Sequence, residues 1–452
     1  MSNSLKVPPS RDLRFEYIAV NELKPYPGNA RKHPKKQIRG IAESIKTLGF
    51  NSPLIVNEGN RVLAGHGRLE AAKLLGLEEV PITRVMGLSD TQQRAFALAD
   101  NKHALNSNWD SQKLAIEIKS LLNITDSGFD ITATGFAMGE VDVVIGEAED
   151  PRPASLDKVP AIDRTQPPIS RNGDLWGIGE NRLLCGDARS PSAYSLLLGT
   201  NTAQLIFADP PYNVKVSGHA RGGGQVHHEE FAMASGEMSE ADFVAFLQLV
   251  LTTLTSISIN GAIFFVCMSW GHLFELLSAA RASGLELKNL CAWIKGRAGM
   301  GSLYRSGHEL IAVLKSGRAA HTNNIELGRF GRDRSNVWSY PGFNVLQAGQ
   351  TGVLNAHPTI KPVALVEDAI LDCSDRGAVV VDPFTGSGTT LIAAQRTGRR
   401  GFGIELDPYY VDLALTRFRD AFKIEPVHLE TGETFSDLQR CGRPYPQGEG
   451  KR

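Results

Sequence analysis

A strand, a glycine turn, a helix and a second strand ending in an acid follow one another between Ala378 and Leu406. Ala378 to Val381 is β-branched and reads as a buried parallel strand. The stretch Asp382-Pro383-Phe384-Thr385-Gly386-Ser387-Gly388-Thr389-Thr390 then turns into a helix over Leu391 to Arg396, which Gly398 ends. The next strand, Gly401 to Leu406, carries Glu405, 23 positions after Asp382. That is close to the ~20 positions between a glycine turn and a ribose-gripping acid. The pattern requires an open α/β sheet that binds its ligand beyond the carboxyl ends of the strands.

The turn also restricts the ligand. A dinucleotide fingerprint needs a third glycine, and Leu391 holds that place. A P-loop needs a lysine after the last glycine, and Thr389 follows Gly388. A glycine turn without a phosphate-neutralising lysine fits an adenosyl ligand that lacks phosphates. Glu405 would then take both ribose hydroxyls.

A second strand ends in chemistry. Leu205-Ile206-Phe207-Ala208 is a buried run, and Asp209-Pro210-Pro211-Tyr212 closes it. The prolines remove two backbone donors and stiffen the turn, so its carbonyls can only accept. Such a site suits a flat base with an exocyclic amine. Asp209 and the Pro210 carbonyl would each take one hydrogen, and the Tyr212 ring would stack on the base. The plain structural alternative is a proline-rich exit from a strand.

With 452 residues the chain has room for two or three domains. Its net charge of -1 says nothing about nucleic acid. Local charge says more: residues 1–60 hold ten Lys/Arg against five Asp/Glu, and residues 293–340 hold eight against three. The five cysteines, Cys185, Cys267, Cys291, Cys373 and Cys441, are widely spaced without a C-x-x-C pair. That argues against zinc and for a reducing, cytoplasmic setting. No apolar run is long enough to span a bilayer.

A first domain is expected over 14–146. It holds a helix from Ile38 to Leu48, two short strands around Glu58-Gly59-Asn60, and a helix entered through Gly65-His66-Gly67-Arg68. A strand follows over Val80 to Val85, then a helix capped by Ser89 and reaching Ala99, and another over Ser111 to Leu122. A glycine turn at a helix start with Arg68 beside it suits an anion. Residues 147–170, acidic and proline-bearing, read as an exposed tether. The second domain is expected over 171–425 and a loose tail over 426–452. The loop from Asn213 to Met238, with His219, His227 and His228, reads as a mobile lid whose spacing matches no metal-ligand pattern. The insertion 318–355 interleaves Arg329, Arg332 and Arg334 with Trp338 and Tyr340, a mixture suited to phosphate contacts and base stacking.

Residues 65–72, with Asp100-Asn101-Lys102, Asn106 and Trp109, resemble the ParB/sulfiredoxin-like amino-terminal domain, with His66 and Gly67 replacing the usual Glu and Arg. From about 171 to 422 the chain resembles the β class of amino-methylating (N6-adenine/N4-cytosine) DNA methyltransferases. Asp209 to Tyr212 match the catalytic motif and Asp382 to Thr390 the cofactor loop. His357-Pro358-Thr359-Ile360-Lys361-Pro362 match the block packed against the methionine end of the cofactor. Gly186-Asp187 match the acid at its adenine ring, and His308-Glu309-Leu310-Ile311 a block near the base pocket.

The resemblance implies a Rossmann-like methyltransferase fold, a doubly wound α/β sheet, preceded by a small α+β ParB-like domain. It implies S-adenosylmethionine as cofactor, bound by Asp187, Asp382, Phe384, Gly386, Ser387, Gly388, Thr389, Glu405, His357, Thr359, Lys361 and Pro362, with no metal. Double-stranded DNA is the implied partner, contacted through Arg329, Arg332, Arg334 and Arg68, with target recognition within 318–356. Asp209, Pro210, Pro211 and Tyr212 would carry catalysis on adenine N6. A homodimer and a companion restriction nuclease are compatible with this reading. Its alternatives are N4-cytosine methylation, a ParB-like DNA-binding or partition protein with an accessory methylase fold, and an RNA or protein-glutamine methylase. C5-cytosine chemistry is excluded, because no cysteine follows a proline.

Overall fold

A computed structural model describes residues 13–123, 130–149, 152–214, 236–296, 303–325, 328, 332–342 and 360–441. The chain divides into two compact units, Met1–Glu149 and Asp150–Arg452.

The first unit is built on four strands, β1 (Leu13–Ala19), β2 (Leu54–Val56), β3 (Val62–Ala64) and β4 (Glu79–Val85), in the order β1-β4-β2-β3. Their inward residues Leu54, Val56, Val62 and Ile82 are fully buried with Leu69 and Ala72 of the helix His66–Leu75. That helix lies between two left-handed glycines, Gly65 (φ 98°) and Gly76 (φ 68°). Ser89 and Gln92 cap each other at the start of the helix Asp90–Leu105. This helix outlasts the expected end at Ala99, because Asp100 to His103 contain no breaker and stay helical. The helices Ser111–Leu122 and Met138–Glu147 pack through Ile118, Val141 and Ile145.

The second unit is a ten-stranded mixed sheet. Its strands are β5 (Leu175–Ile178), β6 (Asn181–Cys185), β7 (Ala203–Ala208), β8 (Ser258–Met268), β9 (Glu286–Ile294), β10 (His308–Lys315), β11 (Val337–Ser339), β12 (Val379–Asp382), β13 (Arg400–Glu405) and β14 (Val427–His428). Their order is β11-β9-β10-β8-β7-β12-β13-β6-β5-β14. The central strands β8, β7, β12, β13 and β6 are parallel. Two apolar clusters cover the two faces of this sheet, as a doubly wound fold requires. The order reverses between β7 and β12, the switch point where such sheets bind ligands. Asp209 follows one of these strands and Asp382 ends the other.

Two expectations about exposed segments are corrected. Residues 152–170 are not a tether. Leu156 and Val159 are buried in the second unit, Val159 against Leu413. Asp157 accepts the Val363 N–H at 2.9 Å and pairs with Arg152 at 3.2 Å. Asp412 accepts the N–H groups of Ile169 and Ser170 at 2.7 and 3.0 Å. The acids that suggested solvation cap backbone donors instead. Nor is the stretch up to Cys441 loose: β14 pairs with β5, and Phe435 is fully buried 5.4 Å from the Trp176 ring. The helix Glu240–Ser256 ends two residues before β8 begins at Ser258.

Candidate active site

The turn after β7 places Asp209 beside two residues from distant parts of the chain. Lys361 Nζ donates to Asp209 Oδ2 at 2.6 Å and lies 3.2 Å from Glu309 Oε2. Tyr212 donates its hydroxyl to Asp209 Oδ1 at 2.7 Å and lies 3.2 Å from Glu309 Oε2. Lys295 pairs with the other oxygen of Glu309. Glu309 comes from β10, Lys295 follows β9, and Lys361 precedes the helix Val363–Cys373. Two cations thus face two carboxylates in a largely buried cluster.

The electrostatics follow from burial and pairing. Burial raises the Asp209 carboxyl above its ordinary range, with Lys361 opposing and Glu309 reinforcing the rise. Burial also works to raise Glu309, but Lys361 and Lys295 together hold it below its ordinary value. Burial would lower Lys361, and the two carboxylates outweigh that and keep it cationic.

The cofactor loop is ordered by its own side chains. Asp382 Oδ1 accepts the Phe384 N–H at 2.9 Å and Oδ2 accepts the Thr390 hydroxyl at 2.5 Å. Burial pushes its carboxyl up to about 7. Gly388 has φ 84°, and a Cβ there would lie 2.9 Å from the Ala414 Cβ, so the turn packs closely on the helix Pro408–Phe422. Arg417 of that helix donates from Nη1 to the Ser387 carbonyl, the Ser387 hydroxyl and the Thr389 hydroxyl, each at 3.0 Å. It also donates to the Leu156 carbonyl at 2.6 Å, and burial pulls its pKa down to about 10. The Ser387 and Thr389 side chains therefore brace the loop.

Glu405 is the group in this region that fits an adenosyl ligand best. Its two oxygens each accept one N–H, from Gly386 at 2.8 Å and from Asp407 at 2.9 Å. Among the described residues it has no ion-pair partner, and burial pushes it up to about 7. A diol would give this carboxylate the donors it still has room for. Asp187, beyond β6, is held by Arg189 at 2.7 Å, which keeps its carboxyl below the ordinary range. Pro210 is buried and Pro211 half-buried beside Asp209. Pro362 caps the helix Val363–Cys373, and the Phe384 ring lies 6.2 Å from that of Phe246.

Arg332 and Arg334 occupy a different setting from the phosphate-contact role expected of them. Arg332 reaches Asp372 at 2.6 Å, and Arg334 reaches Asp368 at 2.7 Å and Asp372 at 3.1 Å. Trp338 is buried 5.9 Å from Phe265, and Tyr340 bonds Asp368. The interleaved cations and rings thus dock β11 and its flanks, because the neighbouring helix carries two carboxylates four residues apart. Arg329, His357 and Thr359 lie outside the described residues, as do His219, His227 and His228. In the first unit Arg68 donates to the Ser52 hydroxyl, and burial lowers its pKa against the pull of Asp100. His66 Nε2 accepts the Tyr26 N–H at 3.2 Å, and burial and the neighbouring His33 hold its pKa below the ordinary histidine value.

Sequence reasoning assigned Lys361 to the cofactor and missed Lys295 and Arg417. The His308-Glu309 block pointed to Glu309, but its partners come from other segments of the chain: the turn after β7, the residue after β9 and the residues before the helix Val363–Cys373.

Comparison with known proteins completes the assignment. Residues 203–416 match the N6/N4 DNA methylase model, 8–102 the ParB N-terminal domain and 112–172 the ParB-methyltransferase helix-turn-helix domain. The ParB-like nuclease domain-containing protein YnaK of Escherichia coli K12 is 39% identical over 85 residues, 19% of this chain and 98% of the relative. The type II methyltransferase M2.DpnII of Streptococcus pneumoniae is 28% identical over 225 residues, 47% of this chain and 81% of the relative. Among solved structures, the putative DNA modification methylase TTHA0409 of Thermus thermophilus, in complex with S-adenosyl-L-methionine, shares 24% identity at a TM-score of 0.39, covering 53% of this chain and 93% of its own. The cytosine-N4-specific PvuII DNA methyltransferase shares 16% at 0.41, covering 58% and 90%. Among the described residues no helix is long and apolar enough to cross a membrane. The chain thus carries an N6/N4 DNA methylase domain over 203–416, preceded by a ParB N-terminal domain and a ParB-methyltransferase helix-turn-helix domain.

Proposed function

We propose that the protein methylates the exocyclic N6 of adenine in double-stranded DNA, with S-adenosylmethionine as methyl donor. The observation that carries this reading is the joint position of Asp209 and Glu405. An acceptor-rich turn follows β7, and a half-buried carboxylate without a cation partner among the described residues ends β13, at the same edge of the parallel central strands. When bound, S-adenosylmethionine supplies a methyl group activated by its sulfonium.

The chain's own residues do the rest. Asp209 and the Pro210 carbonyl accept the two hydrogens of the amine, which pushes its nitrogen toward sp³ and frees the lone pair for attack. The raised pKa of Asp209 makes it a stronger acceptor for the proton the amine must lose. Lys361 and Tyr212 hold the two Asp209 oxygens in place, each oxygen retaining a lone pair for the base. Tyr212 offers its ring to a base turned out of the duplex. The rate gain comes from alignment and fixed electrostatics, with no covalent enzyme intermediate. Glu405 grips the ribose, the Asp382–Thr390 loop makes room for the amino-acid tail, and Asp187 meets the adenine of the cofactor. Aspartate at 209, where N4-cytosine enzymes more often carry serine, supports adenine.

The test is digestion of DNA methylated by the purified protein, followed by mass spectrometry of the nucleosides. N6-methyladenine is expected. N4-methylcytosine alone would overturn the choice of base, and no methylated nucleoside would overturn the function.

A further inference from the structure

Beyond the methyl-transfer site, the same sheet edge carries two bare aromatic rings. Trp270 is 65% exposed and Phe274 is 79% exposed. Trp270 opens the short turn after β8, and Phe274 lies four positions on, at the start of the helix Leu273–Ala282. Both rings are exposed where the chain leaves β8 and enters this helix, so the segment offers two apolar side chains to solvent at this edge.

The strand order locates the segment. β8 runs between β10, which brings Glu309, and β7, which brings Asp209. Leu310 pairs with Met268, and Ala208 pairs with Val266. Trp270 therefore emerges two residues past the level of Leu310 and four past the level of Ala208. At ~3.3 Å per residue that is within roughly 13 Å of the catalytic turn. Across the edge, Leu303 and Tyr304 are 83% and 84% exposed, and Arg305 beside them is exposed.

We propose that Trp270 and Phe274 form the wedge that enters the DNA duplex when the target base leaves it, filling the gap in the base stack. This rests on the reading of the protein as a DNA base methylase. A buried acceptor site serves a paired base only after that base is extruded. Extrusion leaves an unstacked hole, and apolar side chains inserted between base steps are a known means of holding a duplex open. Two exposed rings close to the catalytic turn have the chemistry for this, and Arg305 has the charge for a flanking phosphate. Duplex DNA is the occupant that continuity with the acceptor site favours.

The experiment uses full-length protein and short duplexes carrying the sequence it modifies, once mapped. In one duplex the target base faces its normal partner, and in the other an abasic residue, so the base is already unpaired. Trp270→Ala should slow methyl transfer to the paired duplex by about tenfold or more and restore it to within about threefold of wild type on the abasic duplex. Trp270→Phe should keep most of the activity, and S-adenosylmethionine affinity should not change. Phe274→Ala should give the same pattern and serves as the second probe if the tryptophan variant folds poorly. Equal losses on both duplexes would make these residues part of the base pocket and overturn the wedge. No loss on either would overturn it as well. Wild-type protein inactive on both would instead remove the methylase reading on which the wedge rests.

Discussion

Lys361 Nζ lies 2.6 Å from Asp209 Oδ2 and 3.2 Å from Glu309 Oε2, so one ammonium bridges two largely buried carboxylates. Without it the carboxylates would face each other in a poorly solvated site, and one would take up a proton. The lysine thereby keeps Asp209 available as an acceptor.

Lys361→Met should raise the Asp209 pKa further. Activity that depends on ionised Asp209 is lost as pH falls through that pKa, so the acid limb of the pH–rate profile should move to higher pH. Rates from pH 5 to 9 for both proteins check this. An unmoved limb would show that Lys361 does not control Asp209.

Asp209→Ala removes the acceptor and leaves the cofactor loop intact. Methyl transfer should fall by about 10²-fold or more, the scale of a lost general-base contribution. Cofactor affinity measured by calorimetry should stay close to wild type. Full activity would exclude the role assigned to Asp209.

Glu405 has its pKa raised to about 7 by burial, against the pull of the Asp407 and Gly386 N–H groups. Ribose hydroxyls that donate to the ionised form lower that pKa on binding. S-adenosylmethionine binding near pH 7 should therefore release protons, and affinity should weaken as pH falls below about 7. Calorimetry in buffers of different ionisation enthalpy measures the release. Glu405→Ala should abolish it and weaken binding by about 1.5–3 kcal/mol per charged bond lost.

Arg334 and Arg332 hold Asp372, whose side chain is 4% exposed. Arg334→Ala leaves that carboxylate short of a partner and should cost about 3–5 kcal/mol of stability, the scale for a broken buried pair. The salt dependence of DNA binding should stay as it is. A salt slope reduced by about one, with unchanged melting, would reassign Arg334 to phosphate contact.

Leu156 is buried under the methylase core, and its carbonyl accepts from Arg417 at 2.6 Å. A chain beginning at residue 171 should thus unfold at a lower temperature than one beginning at 152. Leu156→Ala in the full chain should cost about 2–5 kcal/mol. Equal melting of the two truncated chains would return residues 152–170 to the status of a tether.

Local chemistry was legible in the sequence. The β-branched run before Asp382, the glycine turn and the acid at 405 specify a strand–turn–helix–strand unit through backbone preferences and periodicity alone, and Asp209-Pro210-Pro211-Tyr212 announces an acceptor turn in four residues. Pairings across the chain were not legible, because they depend on which strands become neighbours. Strand order brings Glu309 and Lys361 onto Asp209, although 100 and 152 positions separate them from it. Strand β11 and the helix beside it turn the basic residues Arg332 and Arg334 inward, onto Asp368 and Asp372. An acidic, proline-bearing stretch has the composition of a linker, yet its Leu156 and Val159 find apolar partners and its Asp157 finds an open helix end. Composition reports the average affinity of a segment for water. Tertiary structure decides whether its few apolar side chains and its carboxylates meet complementary groups, and in those segments that meeting outweighs the average.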